Sequence, residues 1–78
     1  MKYVVIELQT FDTGAMSSPA YAFDERDSAE VKFYDLVSKA VKSKVPVHAI
    51  ILTTNEGQLI DKKCYVHDEE TATEATEA

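Results

Sequence analysis

The sequence predicts one α+β domain: a four-stranded antiparallel sheet with a single helix packed on one face. Three observations carry this. Residues 2–9, 47–54 and 58–67 are rich in β-branched and apolar side chains that alternate as strands do. Between them, Ala29, Phe33, Leu36, Val37, Ala40 and Val41 recur at spacings of three and four, the one-sided stripe of a helix. A chain of 78 residues is sized for one domain and buries a modest fraction of its surface.

Residues 2–9 open the fold. Val4, Ile6 and Leu8 share one side of this strand, and Tyr3, Val5, Glu7 and Gln9 the other. The alternation points the Val4 side inward. Residues 10–19 hold Gly14, Pro19 and small polar side chains and read as a loop. Residues 20–23 form a short strand with Tyr21 and Phe23 on one face. Asp27-Ser28-Ala29-Glu30 then fits a capping box, with Asp27 accepting from freed backbone N–H groups and Glu30 reaching back. Glu30, Lys32, Asp35, Ser38, Lys39 and Lys42 face water, and Asp35 precedes Lys39 by one turn. Val31 and Tyr34 fall off the core stripe. The helix ends before Val45-Pro46, because a proline disfavours helical geometry in the residue before it.

Residues 47–54 and 58–67 are joined by Asn55-Glu56-Gly57, a three-residue turn with glycine in the left-handed position. That turn places Thr54 opposite Gln58, and by extension Leu52 opposite Ile60, Ile50 opposite Lys62 and His48 opposite Cys64. The ββαββ sequence of elements gives a fully antiparallel sheet in the order 2-1-3-4. The two hairpins, each an apolar strand, a glycine turn and a strand ending in Tyr21-Ala22-Phe23-Asp24-Glu25 or Tyr65-Val66-His67-Asp68-Glu69, echo one another about a pseudo-twofold axis.

The formal charge of −6 is unevenly placed. Residues 68–78 (DEETATEATEA) carry five acids and no base, whereas residues 1–67 carry nine acids and eight bases. A single α+β domain is expected over 1–67. The acidic tail over 68–78, with nothing large to bury, is expected to be disordered and solubilising. Nucleic-acid binding has little support: Lys39, Lys42 and Lys44 sit near one helix end, where the dipole also favours them, and no basic face with interleaved aromatics stands out. No apolar run is long enough to span a membrane, and Met1 to Glu7 lacks a signal peptide's apolar stretch, so a cytoplasmic location is expected. A single cysteine, Cys64, excludes an internal disulfide.

One helix covers one face of a sheet. Val4, Ile6, Leu8, Ile50, Leu52, Ile60, Cys64 and Val66 are the expected core, with His48 at its margin. The other face would carry Tyr3, Val5, Val47, Ala49, Ile51, Leu59 and Tyr65 beside Glu7, Asp61 and Lys63. A solvated antiparallel face should be mostly polar. These seven apolar residues are the candidate interface for a homo-oligomer, a dimer first, or for another protein. The competing reading folds the 10–19 loop over that face.

Chemistry is thinly represented. His48 opposite Cys64 would allow a thiolate nucleophile, but no orienting group or oxyanion loop accompanies them. A metal site from His48, Cys64 and His67 fails on direction, since His67 points away from Cys64. Gly14 and Gly57 are isolated and form no phosphate cradle, so no cofactor is implied. Asp24, Glu25 and Asp27 suit a helix N-terminus.

The stretches Lys2 to Thr10, Asp27 to Tyr34, Pro46-Val47-His48-Ala49, Asn55-Glu56-Gly57 and Tyr65-Val66-His67 together resemble a group of small uncharacterised bacterial proteins. Some of that group are encoded in prophages or near phage structural genes. The resemblance covers most of residues 2–67. It implies a phage-related or accessory role and transfers no catalytic residue. The expected function is therefore a non-enzymatic interaction or structural protein, phage or mobile-element related, self-associating through the helix-free sheet face. Two alternatives are a regulatory nucleic-acid-associated factor using the lysines at the helix end, and a small enzyme using Cys64 and His48.

Overall fold

A computed structural model describes residues 1–67. The acidic tail expected over 68–78 lies outside the described residues. The elements are β1 (Tyr3–Thr10), β2 (Met16–Ser17), β3 (Ala20–Phe23), α1 (Arg26–Val41), β4 (Val47–Thr54) and β5 (Leu59–Val66). The sheet is antiparallel in the order β2-β1-β4-β5, with β3 also paired to β1. This is the expected α+β architecture and the expected strand order.

Residues 10–19 are more ordered than a loop. Phe11 N–H donates to the Ala15 carbonyl and Gly14 N–H to the Phe11 carbonyl, both at 2.9 Å, with Gly14 at φ 92°. The chain then runs back along β1: Gln9 pairs with Ser17 and Ile6 with Ala20, in one continuous register. β2 and β3 are a single edge strand interrupted at Ser18-Pro19, where proline has no N–H to donate. The Pro19 carbonyl still accepts from Glu7 N–H at 2.9 Å. These residues extend the sheet's edge and leave its face uncovered. The turn at 55–57 repeats the pattern, with Thr54 N–H donating to Gln58, Gly57 N–H to Thr54, and Gly57 also at φ 92°.

The helix starts one residue before the predicted cap. Glu25 is the N-cap, extended at φ −120° and ψ 142°, and its side chain makes no capping bond. Asp27 lies in the first turn, where its charge favours the helix's positive end. Glu30 accepts from Arg26 Nε at 2.9 Å, one turn back. The capping box is thus replaced by a dipole contact and an i,i+4 ion pair. The predicted Asp35–Lys39 pair forms, Lys39 Nζ lying 3.3 Å from Asp35 Oδ2. Ala29, Phe33, Leu36 and Ala40 are buried and Val37 packs beside them, as the stripe predicts. Val41 is half-exposed, and Val31 and Tyr34 face water. Beyond the helix, His67 Nε2 donates to the Ala40 carbonyl at 2.8 Å, and His67 N–H donates to the Pro46 carbonyl at 2.7 Å. The first bond ties the end of β5 to the last turn of α1, and the second ties it to the residue before β4.

The side of the sheet that meets the helix is set by register. β1 pairs with β4 so that Tyr3, Val5, Glu7 and Gln9 share a face with Thr54, Leu52, Ile50 and His48. Val5, Ile50 and Leu52 form one buried cluster with Ala29, Phe33, Leu36 and Ala40, and Tyr3, Tyr21, Phe23, Ile60 and Tyr65 pack against it. The expected core is therefore right for β4 and inverted for β1: Val5 lies beneath the helix, and Val4, Ile6 and Leu8 lie on the far side. β5 differs for a second reason. A register shift between Leu52 and Thr53 sets Thr53 opposite Leu59 but Leu52 opposite Asp61, so Ile60 is a bulge. From there inward Ile51 faces Lys62, Ala49 faces Cys64 and His48 faces Tyr65. One extra residue turns Cys64 and Val66 away from the helix and Tyr65 toward it.

At the start of the sheet the Lys2 ammonium donates to the Asp24 carboxylate. This hydrogen bond, and then the lysine's charge, hold the Asp24 carboxyl below its ordinary value. A carboxyl lowered by folding stabilises the fold above its unfolded pKa, and the contribution fades as pH falls through the folded one. Asp24→Asn is accordingly expected to lower the thermal midpoint slightly at neutral pH, the pair being exposed. Wild type and variant should converge in acid. Melts across pH check this, and a gap that widens in acid would contradict it.

Candidate functional site

Two features outside the apolar core carry chemistry or surface. The first is a buried polar cluster beneath the helix side of the sheet. Glu7 and Gln9 project from β1, and His48, opposite Gln9, projects from β4. His48 Nε2 lies 2.7 Å from Glu7 Oε2, with side-chain exposures of 4% and 13%. An ionised carboxylate only accepts, so Nε2 carries the proton and donates to it. Gln9 Nε2 donates to the same Glu7 oxygen at 3.3 Å. Its 3.5 Å approach to His48 Nε2 is a contact rather than a bond, because that nitrogen is already donating. His48 Nδ1 is buried and meets no hydrogen-bond partner among the described residues. The arrangement can orient an imidazole, but it holds no nucleophile.

Cys64 is not that nucleophile. It faces Ala49, while His48 faces Tyr65, so the two lie on opposite sides of the sheet. The predicted cross-strand pair is undone by the bulge at Ile60. His67 is engaged with Ala40, and its ring stacks on Tyr65 at 6.3 Å between centroids. No group of three or more metal-capable side chains occurs among the described residues. The lysines near the helix end are also partly committed, Lys39 being paired with Asp35.

The second feature is the sheet face opposite the helix. Strand parity places Val4, Ile6 and Leu8 of β1 beside Thr53, Ile51 and Ala49 of β4, with Val47 beyond. All six apolar members are partly exposed, and none belongs to the buried core. On β5 the same side continues through Lys62, Cys64 and Val66. An open depression of about 370 Å³ is lined by Ala49, Ile51, Lys62, Lys63 and Cys64. Neither central strand presents a charged side chain on this face between its ends.

Of the seven residues predicted for the uncovered face, Val47, Ala49 and Ile51 lie on it, and Leu59, opposite Thr53, is exposed at its margin. Tyr3, Val5 and Tyr65 are corrected to the helix side, Val5 being fully buried. Val4, Ile6, Leu8, Cys64 and Val66 take their places. The Glu7–Gln9–His48 cluster was not foreseen. Its one trace in the sequence is a histidine inside an otherwise apolar strand, at a position with the same parity as Ile50 and Leu52. No helix among the described residues is long and apolar enough to cross a membrane. Comparison with protein-family models, with curated proteins and with solved structures finds no match for this chain.

Proposed function

We propose that this protein is a non-enzymatic interaction module whose working surface is the sheet face the helix leaves open. One observation carries the reading: six apolar side chains, Val4, Ile6, Leu8, Val47, Ala49 and Ile51, form a continuous partly exposed surface on the two central strands. A solvated sheet face is normally polar, and a contiguous apolar patch of this kind marks a docking site. Separation of Cys64 from His48 removes the best nucleophile–base pair that the sequence offers. The resemblance to small uncharacterised bacterial proteins, some of them encoded in prophages or near phage structural genes, fits an accessory or structural role for such a module.

Ile51→Lys tests this. At concentrations where the chain sediments as a monomer, the wild type is expected to bind an environment-sensitive apolar dye. The variant should lose most of that signal at an unchanged melting temperature, because residue 51 lies outside the buried cluster. A folded wild-type monomer that binds no dye would contradict the reading.

A further inference from the structure

Resting on that reading, we infer that the occupant of the open face is a second copy of this chain, stacked face to face, so that two sheets form a sandwich with a helix on each outer side.

A sheet can join its own copy in two ways: edge to edge through free backbone groups, or face to face through side chains. Both edges of this sheet carry features that block the first. The β2/β3 edge is split at Ser18-Pro19 into strands of two and four residues, and very short edge strands offer little to pair with. The β5 edge is kinked by the bulge at Ile60 and carries the adjacent exposed cations Lys62 and Lys63. Bulges, very short strands and edge lysines are devices by which sheets avoid edge pairing. On the open face the two central strands have none of them.

Area and charge fit the same partner. A sheet four strands wide at about 4.8 Å spacing, and eight residues long at about 3.3 Å per residue, has a footprint of roughly 500 Å². Two such faces bury about 1,000 Å², the lower bound for a specific interface. The central strands lack charge, so two such faces meet no like-charge repulsion there, and Lys62 stands at the β5 rim. Residues 1–67, with nine acids and eight bases, add no strong net repulsion between copies. An acidic partner would meet cations only at the β5 rim, through Lys62 and Lys63, and nothing complementary among Val4, Ile6, Leu8, Ala49 and Ile51.

Cys64 supplies a native reporter. It is exposed, on the open face, beside Ala49 and Ile51. Face stacking covers its thiol, whereas edge pairing leaves the face, and the thiol, open. The test is sedimentation equilibrium of the full chain from low to high micromolar concentration, with the rate of Cys64 labelling by a maleimide measured at each concentration. The expected result is a monomer–dimer equilibrium in which labelling slows as dimer forms. Ile51→Lys should raise the dissociation constant by about 100-fold or more, since a twofold interface meets the substitution twice. It should also restore fast labelling at every concentration. If that variant fails to fold, the wild-type labelling curve decides by itself. A dimer whose Cys64 stays freely labelled would overturn the inference, as would a monomer throughout. A monomer that still binds the apolar dye defeats only the second-copy assignment; one that binds no dye defeats the docking surface as well.

Discussion

Phe33→Ala is expected to unfold most of the protein at physiological temperature. Phe33 is fully buried at the centre of the helix stripe, in one cluster with Val5, Ile50 and Leu52. Truncating a buried phenylalanine costs about 3–5 kcal/mol, part in lost transfer energy and part in the cavity left behind. A domain of this size has a total stability of only about 3–10 kcal/mol. A small sheet with one helix can collapse little around the gap, so the upper part of the range applies. The thermal midpoint should fall by roughly 15–30 °C at fixed protein concentration. Leu36 and Ala40 continue the same stripe, and Val31→Ala, 72% exposed on the opposite side of the helix, should shift the midpoint by no more than a degree or two. Similar melting of the Phe33 and Val31 variants would place the helix on the wrong side of its own stripe.

The second large effect concerns the buried polar cluster. His48→Ala removes a ring that is 3% exposed and takes the hydrogen-bond donor from Glu7, whose carboxylate then keeps only the 3.3 Å bond from Gln9. Leaving a buried acceptor without its donor costs about 1–3 kcal/mol, more for a carboxylate, and the lost ring adds a cavity. Glu7→Gln is the informative contrast. Its amide oxygen can still accept from Nε2, so it should cost about 1 kcal/mol, near the net value of one hydrogen bond. Glu7→Ala leaves both ring nitrogens without a good partner and should cost about 1–3 kcal/mol. Urea unfolding of the three variants gives the ranking. If Glu7→Gln proved as damaging as His48→Ala, the cluster would depend on charge rather than on a donor–acceptor match.

That cluster also explains why one face was misread. In β1 the alternation sets Val4, Ile6 and Leu8 against Tyr3, Val5, Glu7 and Gln9. Simple patterning sends the polar set to water. Glu7 and Gln9 turn inward because His48, on the neighbouring strand, gives Glu7 a donor. A helix, not a tight turn, separates β1 from β4, so no local turn chemistry fixes their register. Strand order was legible because Asn55-Glu56-Gly57 and the helix stripe constrain topology locally. The turn itself also follows the sequence, with Thr54 bonded to Gln58. The bulge at Ile60 does not follow from those residues, and it alone reverses Cys64, Tyr65 and Val66. At the helix start, Asp27-Ser28-Ala29-Glu30 has capping-box spacing, yet Arg26 extends the helix backward by pairing with Glu30. The side-chain cap was a local preference overtaken by an equally local ion pair.

The corrected parity sharpens the contrast between the two sheet faces. The face beneath the helix mixes Glu7, Gln9 and His48 with Val5, Ile50 and Leu52. The face without a helix is the more uniformly apolar along the central strands. Burial of polar groups is tolerated where they satisfy one another, whereas an uncovered apolar surface is stabilised only by contact with something else.

Isotope-filtered NOE spectroscopy on a mixture of labelled and unlabelled chains tests this division most directly. The Val5 methyls should show contacts within one chain to the buried side of α1, whereas the Ile6 and Ile51 methyls, which touch one another within a chain, should show no contact to α1 and additional contacts between chains. Contacts from Ile6 or Ile51 to Phe33 or Leu36 within a single chain would contradict it.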